Sequence, residues 1–326
     1  MSFSQKNNNE KMKRIRNQII LFAGIALLVV ISNLIVGGSL LTFGNLKTII
    51  SHAIFPSFVT WGMMFIFTSG IIDLSIGANI LLSANVGAIF AMDLGMGYFG
   101  LIFATILCTV VLEQLSVNCS VSLKIPSWIS GLGMALVFEA ILTIYATIRS
   151  KTEGSSVITL KGFRGMGTMP LMAIVWIVGF IIAYLLFNRT TLGLNIRAIG
   201  GNEGVADAMG IDKKKTILLG ALVGAVFIGL AAVIQESYAG KLSSQSGLGS
   251  LSTIFKSLAT VLLAGSFERI ISMPVGIMVG SVFITGLFNV LTLLGVPSGT
   301  GQEICLGGIV ILCGIISHWG FKGVVK

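Results

Sequence analysis

Five side chains that can bind ions or hydrogen-bond to solutes stand in or beside strongly apolar runs: Asp73, Ser75, Asn79, Ser83 and Glu139. An ionisable residue inside such a run indicates function by default, because a charge in an apolar medium is costly. The carboxylates could hold a cation or a proton, and the amide and hydroxyl groups could hydrogen-bond to a polyhydroxylated solute. The sequence therefore predicts a path for a small polar molecule, lined by these five residues.

Each of these residues also has a structural interpretation. Asp73 or Ser75 could cap the helix that follows a glycine-broken segment, instead of forming a turn beside a translocation path. Asn79 and Ser83 are four residues apart and share a helix face, so a neighbouring helix could be their partner instead of a solute. Glu139 lies in the middle of an apolar run, where a buried, protonated or paired side chain is the alternative to a proton relay.

A second candidate is the polar, glycine-punctuated stretch "RAIGGNEGVADAMGIDKKK", which separates two long apolar runs. Asn202 is a suitable N-cap residue, and Glu203 falls in the first turn, where the helix dipole favours a negative charge. Gly210 stands where a glycine commonly follows the last turn of a helix. The pattern predicts a short helix over 202–210, with Gly200–Gly201 as a flexible segment before it.

The predicted short helix has a modest apolar face. Val205 and Met209 are four residues apart and share that face, and Ala206 and Ala208 keep the helix slim. A helix of two turns has little stability of its own in water. It therefore needs support, either from the ends of the apolar runs or from a groove on another protein. A solvated connector is the alternative.

Sequence signatures of nucleotide hydrolysis, metal binding and nucleophilic catalysis are missing. No GxxxxGK[ST] loop occurs, so the chain lacks the usual phosphate-cradling loop. The two histidines, His52 and His318, are far apart in the sequence, and the four cysteines form no CxxC pair. We therefore expect a protein that is not an enzyme, with no metal site and no cofactor on this chain.

The elements that position the candidate residues are long apolar runs. Hydrophobic residues make up 55% of the 326 residues and charged residues only 10%, whereas a soluble domain carries roughly 25% charged residues. Runs of about 17–25 apolar residues cross a bilayer as helices that satisfy their own backbone hydrogen bonds. We expect an all-α, multi-pass membrane protein with about ten transmembrane helices. The predicted spans are 18–40, 48–70, 76–94, 98–117, 128–148, 170–187, 216–238, 254–267, 273–294 and 303–317.

Basic residues predict the orientation of these spans. Residues 1–17 form a cytoplasmic basic tail, and residues 18–326 form a single transmembrane domain. With both termini in the cytoplasm, two thirds of the 21 lysines and arginines fall in cytoplasmic segments, as the positive-inside rule requires. The segment 189–215 is then the longest cytoplasmic loop. The net charge of +9 follows this topology and does not indicate nucleic-acid binding.

Further expectations concern helix ends and helix packing. Glu113 is predicted near the inner end of the fourth span, where solvation at the interface is expected. Gln235 and Glu236 are predicted to end the seventh span at the outer face, where an extracytoplasmic protein could dock. Two GxxxG pairs, Gly220–Gly224 and Gly276–Gly280, allow helices to approach closely, within this chain or across a dimer.

Four segments resemble the permease subunits of bacterial ABC importers for ribose and related sugars. The stretch "TLGLNIRAIGGNEGVADAMGID" resembles the cytoplasmic loop of that family, and "GIIDLSIGA" resembles its glycine–Asp–Leu–Ser signature. The segments "IPSWISGLGMALVFEAI" and "GVPSGTGQEICLGGIVILCGIIS" are similar to a middle segment and to the last span of the family. The similarity thus runs over nearly the whole chain.

The resemblance implies the ABC importer permease fold in the bacterial plasma (inner) membrane. In that family the cytoplasmic loop is a coupling helix that docks into a separate ATPase subunit, where ATP and Mg bind. Further implied partners are a second permease subunit, identical or paralogous, and an extracytoplasmic solute-binding protein. The implied solutes are pentoses, hexoses, a furanosyl signal or nucleosides. The loop residues predicted to couple to the ATPase are Gly200, Gly201, Asn202, Glu203, Ala206, Gly210 and Ile211, and all of them except Glu203 match the family pattern.

One segment departs from the family pattern. Where the family has a Glu-Leu pair before an apolar run, this chain has Phe255–Lys256, and Ser266–Ser272 replaces most of the glycines that follow. The departure leaves open both the solute and the identity of the partner permease. The alternative function is a self-contained secondary transporter of a small polar solute, with an ion or proton site near Asp73 or Glu139.

Overall fold

A computed structural model describes residues 3–160, 162–268, 270–297 and 299–320. These residues form a helical bundle with one minimal antiparallel pair of strands, in which β1 (Ile158–Thr159) pairs with β2 (Lys241–Leu242). The predicted cytoplasmic C-terminus lies outside the described residues, as do Lys161, Arg269, Lys322 and Lys326, which contributed to the predicted orientation.

The described helices follow the predicted order, with two short helices between the sixth and seventh long ones. The helices are α1 (Phe3–Ile35), α2 (Phe43–Phe67), α3 (Ile76–Met92), α4 (Gly97–Leu123), α5 (Ser127–Glu153), α6 (Leu171–Arg189), α7 (Thr191–Gly201), α8 (Glu203–Ala208), α9 (Lys213–Ala239), α10 (Leu251–Ser266), α11 (Met273–Leu293) and α12 (Thr300–Gly320), with a 3₁₀ turn at Gly165–Gly167.

Seven of the described helices are long and apolar enough to cross a membrane: α1, α2, α4, α5, α6, α9 and α11. The apolar parts of α3, α10 and α12 are shorter. At a rise of about 1.5 Å per residue, the 16 residues of α10 reach only about 24 Å, less than the roughly 30 Å hydrocarbon core. An all-helical membrane fold is thus confirmed, while ten crossings and the orientation of the termini stay predictions.

The core is centred on α2 and α9, which approach each other through glycines. A methyl group at Gly224 would press on the carbonyl oxygen of Gly62, 2.7 Å from its Cβ position, and one at Gly220 would press on that of Phe65, at 3.0 Å. The aromatic rings of Phe65 and Phe227 stack beside this contact, with centroids 6.0 Å apart. The GxxxG pair of α9 therefore packs within the chain, as small residues at a membrane helix interface do.

Helix α1 lies at the periphery of the bundle. Its apolar part has no buried residues within the chain, although the Gln18 amide donates to the carbonyl of Ile270 at 2.7 Å. The helix begins at Phe3, so the described part of the predicted 1–17 tail is helical and continuous with the first span.

Candidate functional site

Helices α7 and α8 form the segment that connects α6 to α9. Thr190 caps α7 by accepting from the backbone N–H of Gly193, at 3.4 Å. The α7 face towards the bundle buries Ile196 and Ile199. The Arg197 guanidinium lies over the ring of Phe187, 5.3 Å from its centroid. Helix α7 is therefore packed onto the bundle.

Gly200 makes the closest approach of this segment to the bundle. A methyl group at this position would collide with the carbonyl oxygen of Thr68, which follows α2, whereas Gly201 has open space around it. Both glycines belong to α7, so the prediction of a flexible segment before the short helix is wrong. The sequence did contain a signal for α7. Leu192, Ile196 and Ile199 are spaced four and three residues apart, which is the period of a helix with one apolar face.

Helix α8 has the predicted end residues. The Asn202 side chain accepts from the backbone N–H of Val205 at 3.2 Å, which confirms the predicted N-cap. Gly210 has φ +75°, and the N–H groups of Gly210 and Ile211 bond back to the carbonyls of Asp207 and Ala206. This pair of bonds is the Schellman arrangement, which satisfies carbonyls at a helix end.

The side chains of α8 divide into an inward and an outward set. Ala206 is buried, with 1% of its surface exposed, whereas Val205 is 54% and Met209 70% exposed. Glu203 lies outside and pairs with Lys213 at 2.7 Å. Ala206 therefore anchors α8 to its own chain, and the outward apolar surface consists of Val205 and Met209. We call these two residues the α8 face.

The segment before α3 holds Asp73 and Ser75 in buried positions. One Asp73 carboxylate oxygen accepts from the backbone N–H of Ser75 at 2.7 Å, and the Ser75 hydroxyl bonds to that of Ser116 at 3.1 Å. Ser75 occupies the N-cap position of α3 without a capping bond from its own side chain. The other Asp73 oxygen is buried without a hydrogen-bond partner among the described residues.

Asn79 and Ser83 face helix α4 and their own helix. The Asn79 amide donates to the Glu113 carboxylate at 3.0 Å and to the carbonyl of Thr109 at 3.2 Å. The Ser83 hydroxyl donates to the carbonyl of Ile80 at 3.2 Å. Their observed partners thus belong to the protein, and a role in the solute path stays a prediction.

The placement of Glu113 at a solvated interface is wrong. Glu113 is fully buried, because α4 runs on to Leu123, past the predicted end at 117. Glu236 is also buried, at 1% exposure, and neither of its carboxylate oxygens has a partner among the described residues. Glu236 is therefore not placed to meet a docking protein.

Glu139 fixes the loop that precedes α10. Its two carboxylate oxygens accept from the backbone N–H groups of Leu248 and Ser250, both at 2.8 Å. Leu248 has φ +65°, which is strained for a residue other than glycine. Glu139 is thus paired, as one of the two sequence interpretations proposed, and its partners are backbone groups distant in sequence.

A polar cavity of about 290 Å³ lies at the end of the bundle opposite α7 and α8. Helix α9 starts next to α8, and the residues that it contributes to the cavity come 21–25 positions after Lys213, which is about 32–38 Å along the helix axis. The lining comes from α2, α6, α9 and α10, and its polar members include Ser51, His52, Gln235, Tyr238, Ser252, Thr253 and Lys256. We call this the far-end cavity.

The sequence prediction of the solute path missed the far-end cavity. None of Asp73, Ser75, Asn79, Ser83 and Glu139 lines it. One signal was available, because Lys256 stands at the start of an apolar run where the sequence departs from the family pattern. The remaining lining residues are ordinary polar residues near helix ends, and only the packing of four helices brings them together.

Comparison with known proteins gives one family. Residues 45–313 match the profile described as branched-chain amino acid transport system / permease component. The ribose import permease protein RbsC of Bacillus subtilis is 29% identical over 309 residues, which cover 90% of each chain. RbsC of Escherichia coli K12 is 26% identical over 91% of each chain. A galactose/methyl galactoside import permease protein, MglC of Treponema pallidum, is 27% identical over 85% of this chain and 57% of its own. No solved structure matches the chain.

Proposed function

Because the chain belongs to the family of branched-chain amino acid transport system permease components, we propose that it is the pore-forming permease subunit of an ATP-driven importer. Its solute is a sugar or a similar small polar molecule, as the names of the ribose and galactose permeases suggest. The relatives are transport permeases and not enzymes. The protein is a multi-pass protein of the bacterial plasma (inner) membrane.

The complex needs three further kinds of subunit. ATPase subunits that bind ATP and Mg supply the energy, a second permease subunit completes the pore, and an extracytoplasmic solute-binding protein delivers the solute. ATP binding closes the ATPase pair, the docked short helices transmit that motion, and the path opens alternately to the two sides of the membrane. Gly200, Gly201, Asn202, Glu203, Ala206, Gly210 and Ile211 shape the coupling segment.

The observation that carries this proposal is the α8 face. Val205 and Met209 are exposed on α8, whereas Ile196 and Ile199 of α7 and Ala206 of α8 are buried. The two caps fix the ends of α8, and the close approach of Gly200 to the Thr68 carbonyl holds α7 against the end of α2. An exposed apolar pair on a short, capped helix suits insertion into a groove of a partner protein.

Site-specific crosslinking tests the docking of α8. Single cysteines at Val205 and Met209, in a variant whose four native cysteines are replaced by alanine, should crosslink to an ATP-binding protein in native membranes. A cysteine at the exposed Lys241, at the opposite end of α9, is the matched control and should give no such product. Mass spectrometry of the crosslinked band identifies the partner, and its absence at both α8 positions would contradict the proposal.

A charge on the α8 face should uncouple transport without unfolding the protein. Met209→Asp places a carboxylate where we expect an apolar groove, and burying an unpaired charge costs several kcal/mol. We expect loss of ATPase co-purification and of uptake, with unchanged membrane insertion and elution volume. Lys241→Asp is the control, and its capture of the ATPase should equal that of the wild type.

The alternative, a self-contained secondary transporter, makes the opposite prediction. Uptake into proteoliposomes that contain this chain and no ATPase would then proceed and would collapse on addition of an ionophore. An importer of the proposed kind gives no uptake in that preparation.

A further inference from the structure

The far-end cavity carries a positive charge without a compensating acid. Lys256 and His52 line it, and none of its lining residues is Asp or Glu. The ion pairs of the described residues involve Arg149 and Lys213 but not Lys256. The Lys256 ammonium instead lies over the Phe288 ring, 4.3 Å from its centroid.

The helices around the cavity place no acidic side chain in its lining. Among the four helices that line it, α2, α6 and α10 contain no Asp or Glu. Glu236 on α9 is buried and does not contribute to the lining. The one partner of this half-buried ammonium among the described residues is the Phe288 ring. An anion would stabilise the ammonium further, because the surrounding medium screens charge less than water does.

The other polar residues of the lining can hydrogen-bond to the hydroxyl groups of a solute. The side chains of Gln235 and Thr253 make no hydrogen bond to other described residues. The Ser252 hydroxyl donates to the carbonyl of Gly249 at 2.8 Å, which leaves its lone pairs free to accept. On the other wall the Tyr238 hydroxyl and the His52 Nε2 lie 3.1 Å apart. The lining thus offers hydrogen-bond donors and acceptors in addition to the Lys256 ammonium.

We infer that the far-end cavity binds a small polyhydroxylated carboxylate, such as a sugar acid, with Lys256 as the partner of the carboxylate. The inference rests on the proposed function and names the solute class. The volume of about 290 Å³ lies at the lower end of small-molecule sites, about 300–1,000 Å³, and suits one monosaccharide. One ammonium matches the single charge of a carboxylate better than the charge near −2 of a phosphate ester.

Calorimetry with the purified full-length chain in nanodiscs tests the inference. The probes are D-glucuronate, its neutral counterpart D-glucose, and D-glucose 6-phosphate. We expect glucuronate to bind at least about tenfold more tightly than glucose, since a charge-assisted contact is worth that much or more. The inference would be overturned if glucuronate did not bind, or if glucose bound as tightly as glucuronate or more tightly. Tighter binding of glucose 6-phosphate than of glucuronate would also overturn it.

Variants locate the site. Lys256→Gln should remove the preference for glucuronate, and Lys256→Arg should retain most of it. Lys47→Gln is the matched control, because Lys47 is exposed near the same end of α2 and does not line the cavity. A preference that survives in Lys256→Gln overturns the assignment. Should Lys256→Gln fail to fold, the wild-type comparison of the three probes still decides the question.

These measurements use no ATPase, so they separate the two proposals. A preference for glucuronate without any ATP-binding partner in the crosslinking experiment would leave the solute class standing and remove the importer mechanism. An ATP-binding partner without this preference would leave the importer mechanism standing and remove the anionic solute.

Discussion

The two ends of the helix bundle are built in different ways. At the α7–α8 end, most of the defining contacts join residues close in the sequence, such as the Asn202 cap and the turn at Gly210. At the far end, the cavity is assembled from α2, α6, α9 and α10, which are distant in the sequence. A short surface for a protein partner can thus be encoded locally, whereas a site for a solute depends on how whole helices are rotated.

The two ends of the bundle also differ in the contacts that hold their segments in place. One backbone contact, Gly200 against Thr68, brings the α7–α8 segment against the end of α2. The far end relies on a buried carboxylate, because Glu139 on α5 holds the loop that leads into α10 and the cavity. The following substitutions separate these two means of support.

The largest effect is expected at Gly200. A Gly200→Ala change forces a methyl group into the Thr68 carbonyl, and relief requires α7 to move, at a cost of about 3 kcal/mol or more. We expect a lower thermal midpoint in detergent and loss of ATPase co-purification. Gly201→Ala is the matched control, because its neighbouring space is open, and it should be neutral or stabilise α7 by up to about 1 kcal/mol. Similar losses for both would refute the role given to Gly200.

A smaller loss of stability is expected from a change at Glu139, and it should affect the loop before α10. Glu139→Gln replaces one accepting oxygen by an amide donor that faces a backbone N–H, which costs about 1–3 kcal/mol. Amide exchange should accelerate in residues 243–253 and stay unchanged in α7 and α8. Glu303→Gln, on an exposed position of α12, controls for the loss of a charge. Faster exchange at α8 instead would show that the two ends are not supported independently.

The predictions from sequence succeeded where the determining contacts are local. Asn202 and Gly210 were identified as the ends of α8, because capping depends on residue type and on neighbours within a few positions. The order of the long helices also followed from apolar runs alone. Helix α7 was missed because its glycines suggested flexibility. Gly200 instead allows a close approach to the carbonyl oxygen of Thr68, where a methyl group would not fit.

The predictions failed where the partner lies far along the chain. The fourth span was predicted to end at 117, yet the Gln114 amide donates to the carbonyl of Leu218 on α9 at 2.9 Å and the helix continues to Leu123. Glu139 was expected to need a partner, and the loop N–H groups that satisfy it are about one third of the chain away. Lys256 was noticed as a departure from a pattern, but its neighbours in the cavity depend on helix packing that one sequence does not specify.

The smallest effect is expected from the surface ion pair of α8. Glu203 and Lys213 are 2.7 Å apart, and their side chains are 61% and 41% exposed, so water and salt screen the attraction. A double-mutant cycle with Glu203→Gln and Lys213→Gln should give a coupling of about 0.2–1 kcal/mol in thermal stability. Capture of the ATPase should persist in both single variants, because burial of Ala206 and the two helix caps hold α8 in place. A coupling well above this range would mean that the exposed ion pair, and not local packing and capping, positions the α8 face.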